Sequence, residues 1–429
     1  MRRYNCTYNA PNFLFPPLEL LYLAAVAKEW KKGQAVIIDA IAEGLTLDEV
    51  VSRLRDFQPD ILVFMFGIES YEEDRQAIRL IKDSFPGLKT ACLGYLPSRF
   101  PARALEESPA VDYVIMDEPE LSFSRLYDCL KGNGKLSGSL AGIAYRENGS
   151  PNIGPRRKRL RELDTLPYPA RYLIRQGLYN EFLFKRPFTT MLTSRGCPFE
   201  CDFCIPTYGR EIVYRSPENV LGEIEETLAR DKVRAIRFMD DTLTLNKERL
   251  KLICAGIIRR RLKFDWSCLS RVGGLDEELA SLMRKAGARR VYLGIETFSQ
   301  RLLDRYRKGY DASGINRQIK MIRDNDIEAA GFFIVGGLQT EEEFRRDVFQ
   351  AKESGLDYVV VERLTPYPGT AIYKDKEAFL SEKEALEREK RFYRAFYFRP
   401  EYILRRLSRF LLNLKDSTLS LTEICRRFM

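Results

Sequence analysis

Three cysteines, Cys197, Cys201 and Cys204, stand in the stretch SRGCPFECDFC (194–204) of a 429-residue chain that contains no histidine. Their spacing, CxxxCxxC, offers three thiolates and no fourth ligand nearby. A structural zinc site takes four ligands, drawn mostly from Cys and His. A [4Fe–4S] cluster held by three thiolates instead leaves one iron open to the N and O donors of a substrate or cofactor. The competing reading is three core or zinc-binding cysteines without redox chemistry. The missing histidines exclude His-dependent hydrolases and His-ligated zinc or cobalt. Acid–base work is left to Asp, Glu, Lys, Tyr and Cys.

Further polar residues end apolar runs downstream. Asp240 and Asp241 close FMDD (238–241), Arg271 closes FDWSCLSR, Glu296 sits in GIET, and Val335 and Gly336 lie in FFIVGG (332–337). Each also has a plainer reading: an aspartate can cap a turn, a glycine can make one, and an arginine or glutamate can sit in a structural ion pair.

The elements that must position these residues read as two alternating series. Residues 1–132 carry apolar runs at 35–40, 60–67, 89–95 and 111–117, separated by helical spacing at 45–57, 71–87, 101–108 and 119–132. That alternation predicts a Rossmann-like, doubly wound parallel sheet. Residues 133–180 read as a linker with a hairpin turning at Asn148-Gly149, and the run Arg156–Arg161 as a solvated face. Residues 181–375 hold six further strand–helix repeats, which predict a partial (β/α)6 TIM-like barrel. In such barrels the chemistry sits on loops at the strand C-termini, where every residue singled out above falls. Residues 376–429 read as helical, with arginines interleaved among aromatics and leucines. That stretch packs its aromatic face on the barrel or, as a second reading, meets lipid.

The bulk numbers fit a cytoplasmic globular protein. Hydrophobic residues make up 45% and charged residues 31%, and the net charge is +9. No apolar run approaches the roughly 20 residues that span a bilayer. The opening segment reads as a loop and a core helix rather than a secretory signal, so the nine cysteines are expected as reduced thiols.

The cysteine spacing, with Phe203 before the last cysteine and strand–helix units following, resembles the radical S-adenosylmethionine (radical SAM) superfamily. PPLELLYLAAVAKEW, DILVFMFG, DEPELSF, LPYPARYLI, GIETFSQRLLDRYRKG, PYPGTAIY and FYFRPEYIL resemble its subfamily with an N-terminal B12-binding domain. The resemblance implies that Cys197, Cys201 and Cys204 hold a [4Fe–4S] cluster whose open iron chelates S-adenosylmethionine. One electron then cleaves SAM to a 5′-deoxyadenosyl radical. The resemblance further implies SAM contacts by Phe203, by Asp241 with Asp240 for the amino group, by Arg271 for the carboxylate, by Glu296 for a ribose hydroxyl, and by Val335 and Gly336 against adenine. It implies cobalamin as a further cofactor and an electron donor such as flavodoxin or ferredoxin.

The chain departs from the subfamily pattern in two loops. CLGYLPSRFP (92–101) stands where relatives show a glycine pair and a histidine, and DEPE (117–120) where they show GEGE. Tyr95 and Pro119 are expected to crowd a large ligand there. Two readings follow. One is cobalamin-dependent methylation of an unactivated carbon in a lipid, tetrapyrrole or natural product. The other is a radical SAM cyclase, hydroxylase or rearrangement enzyme with a vestigial B12 domain. A tRNA methylthiotransferase would need three N-terminal cysteines; Cys6, Cys92 and Cys129 are present, but no RNA-binding tail follows. A non-enzymatic iron–sulfur sensor is a fourth alternative. The expected partner is a small-molecule or lipid-like substrate, with no nucleic acid and with peripheral membrane contact through the C-terminal region.

Overall fold

A computed structural model of the chain describes residues 14–132, 140–157, 159–181 and 184–404. It divides into two compact units. The first comprises Met1–Thr190, Val213–Arg215 and Glu223–Val233; the second comprises Met191–Ile212, Ser216–Gly222 and Arg234–Met429.

In the first unit, α1 (Leu18–Ala25) runs into a π-helical turn, and α2 (Ala40–Glu43) and α3 (Leu47–Phe57) follow. The series continues as β1 (Ile61–Met65), α4 (Tyr71–Ser84), β2 (Lys89–Leu93), α5 (Tyr95–Arg99), α6 (Pro101–Glu107), β3 (Tyr113–Ile115), α7 (Pro119–Lys131), β4 (Ile143–Glu147) and β5 (Ser150–Ile153). The sheet order is β1-β2-β3-β4-β5. The pairs β1–β2 and β2–β3 are parallel.

Because side chains alternate across a strand, the sheet buries two faces. Ala91, Leu93, Tyr113, Ile115, Ile143 and Tyr145 meet Leu23, Val26, Phe123 and Leu126 on one side. Cys92, Val114 and Ala144 meet Ile78, Ala104 and Leu105 on the other. Helices therefore cover both faces, as a doubly wound sheet requires.

One expected strand is absent. Residues 35–39 run without regular secondary structure and join no ladder. Ala35 and Ile37 pack with Ala24, Ala25 and Ala170, while Ile38 joins the cluster around Leu54, Ile81 and Leu88. These side chains are partly buried, while Val36 is exposed. Asp39, however, ends the run by capping α2 through Ala42 N (3.2 Å) and by accepting from the Tyr179 hydroxyl (2.8 Å).

The hairpin expected at 133–180 forms, with Asn148 and Gly149 at φ 50° and 82°, the left-handed pair of a tight hairpin turn. It is not free-standing: β4 pairs antiparallel with β3, so the hairpin is the edge of the first sheet. The Gly/Ser-rich stretch 133–139 lies outside the described residues.

The chain continues through β6 (Phe188–Met191), the short strands β7 (Ser194–Arg195) and β8 (Val213–Tyr214), α8 (Pro217–Arg230), β9 (Ala235–Phe238), α9 (Lys247–Arg259), β10 (Asp265–Arg271), α10 (Glu277–Lys285) and β11 (Ala288–Glu296). After these come α11 (Gln300–Arg305), α12 (Gly314–Asp324), β12 (Glu328–Val335), α13 (Glu341–Glu353), β13 (Tyr358–Arg363) and α14 (Glu382–Tyr397). The second sheet has the order β13-β12-β11-β10-β9-β6, and its pairings from β9 to β13 are parallel. This is the expected six-stranded partial barrel.

Helix α14 starts at a Ser381/Glu384 capping box and covers the edge strand β13. The Tyr397 hydroxyl bonds both Val359 N (3.1 Å) and Val359 O (3.0 Å). Tyr393 does the same for Val361 N (2.9 Å) and O (3.3 Å). Phe392 and Phe396 are fully buried beneath the helix. The described part of the aromatic C-terminal stretch thus packs on its own sheet. Arg405, Arg406 and Arg409 lie outside the described residues. Among the described residues no helix is long and apolar enough to cross a membrane.

Candidate active site

The cysteine loop hangs from a buried aspartate. Asp240 follows β9 and accepts from Thr193 N (3.0 Å), Thr193 Oγ1 (2.7 Å) and Ser194 Oγ. Arg249 on α9 grips the same turn, from Nη2 to Thr193 O (2.8 Å) and from Nη1 to Thr193 Oγ1 (3.1 Å). Beyond it, Gly196 takes φ 98°, a conformation that favours glycine. Cys197 N then bonds Gly209 O (3.1 Å), and Cys204 N bonds Cys201 O (3.1 Å), closing the tight turn that carries the last two cysteines.

Cys201 is buried, and Cys197 and Cys204 are partly buried; all are free thiols. Burial pushes the Cys204 thiol up to about 12, helped by Cys201, Asp241 and Cys197 and opposed by Arg210. Burial raises Cys197 too. Metal binding deprotonates its thiol ligands, so a centre held here has to offset this burial. Among the described residues no three Cys, Asp or Glu side chains form a ready site for a single metal ion. Three thiolate donors without a fourth ligand are the donor set of a [4Fe–4S] cluster with one open iron.

Two other strand ends, at Asp241 and Arg271, reach this loop directly. Asp241 is exposed, and its charge reaches Cys197 and Cys204. Of the FMDD pair, then, Asp240 is sealed beneath the loop and Asp241 faces outward. Arg271 at the end of β10 places Nη1 4.0 Å from Cys201 Sγ. Its guanidinium carbon lies 3.9 Å from the Phe199 ring centre and 5.3 Å from that of Tyr310. Glu296 ends β11 at φ 64°, and its Oε1 accepts from Lys308 Nζ at 2.9 Å. Phe203 meets the Tyr306 ring edge-on at 5.4 Å.

Val335 is fully buried, and its carbonyl accepts from Leu364 N (2.9 Å). Gly336 and Gly337 have φ 86° and 56°. A Cβ on Gly336 would stand 3.1 Å from Ala385 Cβ, and one on Gly337 would strike Leu364. Both glycines are therefore demanded by backbone and packing, whatever ligand lies beside them.

Asp202, Lys308, Tyr310 and Asp347 were not singled out from sequence. Asp202, a non-ligand inside the cysteine motif, pairs with Arg305 and with Arg307. Asp347 on α13 accepts from Thr297 Oγ1 (2.8 Å), Phe298 N (2.6 Å) and Gln339 Nε2 (2.7 Å), and so fixes the loop after Glu296. The cluster of basic and aromatic residues in RYRKGY (305–310) was the one available signal.

The first unit closes its own strand ends. Gly94 has φ 136°, and a Cβ there would strike the Phe66 carbonyl. Tyr95 opens α5, and Pro119 is buried in the first turn of α7. Ser98 Oγ accepts from Asp117 N (3.0 Å), and Asp117 accepts from Arg156 Nη1 (2.8 Å) and Arg157 N (3.0 Å). Ligands of α/β sheets bind at this edge. Here its polar groups bond one another, and its glycine answers a backbone contact.

Comparison with known proteins agrees with both halves. The Radical SAM superfamily matches residues 191–351, and the B12 binding domain matches residues 9–126. An uncharacterized methyltransferase, PH0819, of Pyrococcus horikoshii is 32% identical over 362 residues, which is 84% of this chain and 78% of that protein. The chain belongs to the radical SAM superfamily, among members that carry a B12-binding domain. Membership implies a [4Fe–4S] cluster and SAM as cofactors.

An anaerobic magnesium-protoporphyrin IX monomethyl ester cyclase of Rubrivivax gelatinosus is 25% identical over 368 residues, 84% of this chain and 66% of that protein. The cobalamin-dependent radical enzyme OxsB shares the fold, with TM-score 0.68 and 20% identity over 90% of this chain and 55% of its own. So does the methyltransferase TsrM of Kitasatospora setae, with TM-score 0.68 and 17% identity over 85% of this chain and 74% of its own. The chain thus spans about half the length of OxsB.

Proposed function

We propose that the chain is a cytoplasmic radical SAM enzyme that methylates an unactivated carbon of a small or lipid-like molecule. The names of PH0819 and of a Streptomyces wedmorensis phosphonate methyltransferase, 24% identical over 441 residues, support methyl transfer. The carrying observation is the free-thiol trio with Arg271 beside Cys201. In this reading Cys197, Cys201 and Cys204 hold the cluster within a barrel of residues 181–375. Arg271 takes the SAM carboxylate, Asp241 the amino group and Glu296 a ribose hydroxyl, while Phe203, Val335 and Gly336 bound the base. A bound cluster supplies the electron that splits SAM. The chain's own residues orient the sulfonium and exclude water. An electron donor such as flavodoxin or ferredoxin is required, nucleic acid is not, and any peripheral membrane contact is made through the C-terminal region.

A second reading, cyclisation, hydroxylation or rearrangement without cobalamin, is favoured by the self-bonded edge at Ser98, Asp117 and Arg156. In that case residues 1–132 keep a B12-binding fold without its ligand. The test is anaerobic reconstitution of the cluster, incubation with hydroxocobalamin, removal of unbound ligand, and assay with SAM. Near-stoichiometric cobalt, with both S-adenosylhomocysteine and 5′-deoxyadenosine formed, supports methylation. 5′-Deoxyadenosine alone, with no cobalt retained, selects the second reading. An iron-loaded chain that cleaves no SAM refutes both.

A further inference from the structure

The segment Tyr306–Tyr310 follows α11 and touches the cysteine loop, the end of β11 and Arg271. Asp202 N bonds Tyr306 O at 3.2 Å, and Tyr306 packs on Phe203, so the segment holds the cysteine loop. The Tyr310 hydroxyl bonds Gly294 O (2.8 Å) and Ile295 O (2.9 Å), so it also holds the end of β11. The same ring faces Arg271.

Between these anchors lies a buried ion pair. Lys308 is 5% exposed and Glu296 8%. Lys308 Nζ meets Glu296 Oε1 at 2.9 Å and stands 5.9 Å from the Phe203 ring centre and 5.7 Å from that of Tyr310. The surrounding backbone is shaped for this pair. The β11–β12 register shifts between Gly294 and Glu296, and Glu296 itself is a non-glycine residue at positive φ. Such a conformation persists only where its surroundings over-determine it. A Cβ on Gly294 would stand 2.8 Å from Glu296 Oε1 and 3.3 Å from Lys308 Nζ, so glycine there leaves room for the contact.

We propose that Lys308 is a positioning residue for SAM: it holds Glu296 by Oε1, fixes that carboxylate relative to the cysteine loop through Phe203, and leaves Oε2 for a ligand hydroxyl. Lys308 itself touches no reacting atom. A carboxylate this buried is costly without its counter-charge, so one ammonium sets both the charge and the direction of Glu296. The inference rests on the reading of Glu296 as a ribose contact.

The test measures SAM binding by equilibrium dialysis on the cluster-reconstituted full chain, alongside iron content and thermal melting. Lys308→Met is expected to weaken SAM binding by about tenfold or more, the usual cost of losing a partner that orients a ligand-contacting group, with iron content unchanged. Glu296→Gln and the double variant K308M/E296Q should bind SAM equally weakly, because Lys308 acts only through Glu296. The double variant should also melt above K308M, since no unpaired carboxylate remains. A merely structural lysine would lower melting without this non-additivity in SAM affinity. Binding by K308M within about twofold of wild type, or a double variant weaker than E296Q by the full K308M effect, overturns the proposal. A wild-type protein that holds its cluster but binds no SAM overturns the proposed function as well, so the two failures are distinct.

Discussion

Arg271 Nη1 stands 4.0 Å from Cys201 Sγ while its guanidinium stacks 3.9 Å from the centre of the Phe199 ring. Phe199 lies inside the cysteine loop, so the loop itself orients the cation. A lysine keeps the charge but loses the planar stack and the two-pronged grip on a carboxylate. Arg271→Lys is therefore expected to raise the SAM dissociation constant about tenfold, and Arg271→Gln more. Iron content should stay at the wild-type level, because Arg271 is not a ligand. Titration of SAM into the reconstituted variants checks this; loss of iron in R271K would sink it.

Adjacent aspartates should separate cleanly. Asp240 accepts three hydrogen bonds from the Thr193–Ser194 turn, and an asparagine would turn donors toward donors. Asp240→Asn is expected to cost about 2–3 kcal/mol of stability and to lower iron loading. Asp241→Asn should leave melting unchanged and weaken SAM binding. Urea denaturation and iron analysis of the two variants distinguish them, and equal stabilities would contradict the geometry.

Stability should depend on pH through α13. Burial, helped by the nearby Glu343 charge, pushes Asp347 up to about 7, although Phe298 N, Thr297 and Gln339 donate to it. Burial opposes the charge of Glu343 too, yet Arg301, Thr340 and Ser299 hold it down at about 2. A raised carboxyl contributes stability that is present below its unfolded value and is lost as pH rises through its folded value. The Asp347 contribution should thus decline between about pH 4 and pH 7, by on the order of a few kcal/mol, and level off above. The Glu343 contribution runs the other way, present above about pH 4.5 and lost as pH falls toward 2. The chain has no histidine to titrate in the upper part of this range, where burial also raises the carboxyls of Asp74 and Glu29. Denaturation of wild type and Asp347→Asn across pH 4.5–7.5 should show a steeper decline in wild type than in the variant; parallel curves would rule it out.

Two phenols stand in for a missing neighbour strand. Tyr397→Phe would leave both backbone groups of Val359 without their side-chain partner, at a cost of about 1–3 kcal/mol. The double variant Y393F/Y397F should in addition self-associate through the bared edge of β13. Light scattering at rising protein concentration reads this out, and a monodisperse double variant would count against it.

Much of the site was legible from spacing. Cys197, Cys201 and Cys204 declared themselves because few chemistries use three thiols and no fourth ligand. The apolar runs marked the parallel strands because buried strands read as continuous hydrophobic stretches. What stayed hidden needed three dimensions. Asp240 and Asp241 are neighbours in sequence, but side chains alternate at a strand end, and nothing local says which one is buried. Lys308 meets Glu296 across 12 positions with no periodic pattern linking them. Residues 35–39 have strand composition, yet the Asp39 cap and the α1 contacts claim them first. The tyrosines of α14 read as an aromatic face, and only their hydroxyl partners show that they close an edge.

Within the first unit, Glu223 on α8 is fully buried between Arg171 and Arg215. Burial works against its charge, and the two guanidiniums outweigh that and hold it below the usual carboxylate range. Two of these three residues come from beyond Thr190, from segments that the chain lends back after entering the barrel. The two halves are spliced rather than strung. A chain cut at residue 190 would strand Arg171, 1% exposed, as a buried cation without its anion. A chimera that replaces the amino-terminal half must therefore bring Arg215 and Glu223 along with Arg171 to keep the triad whole.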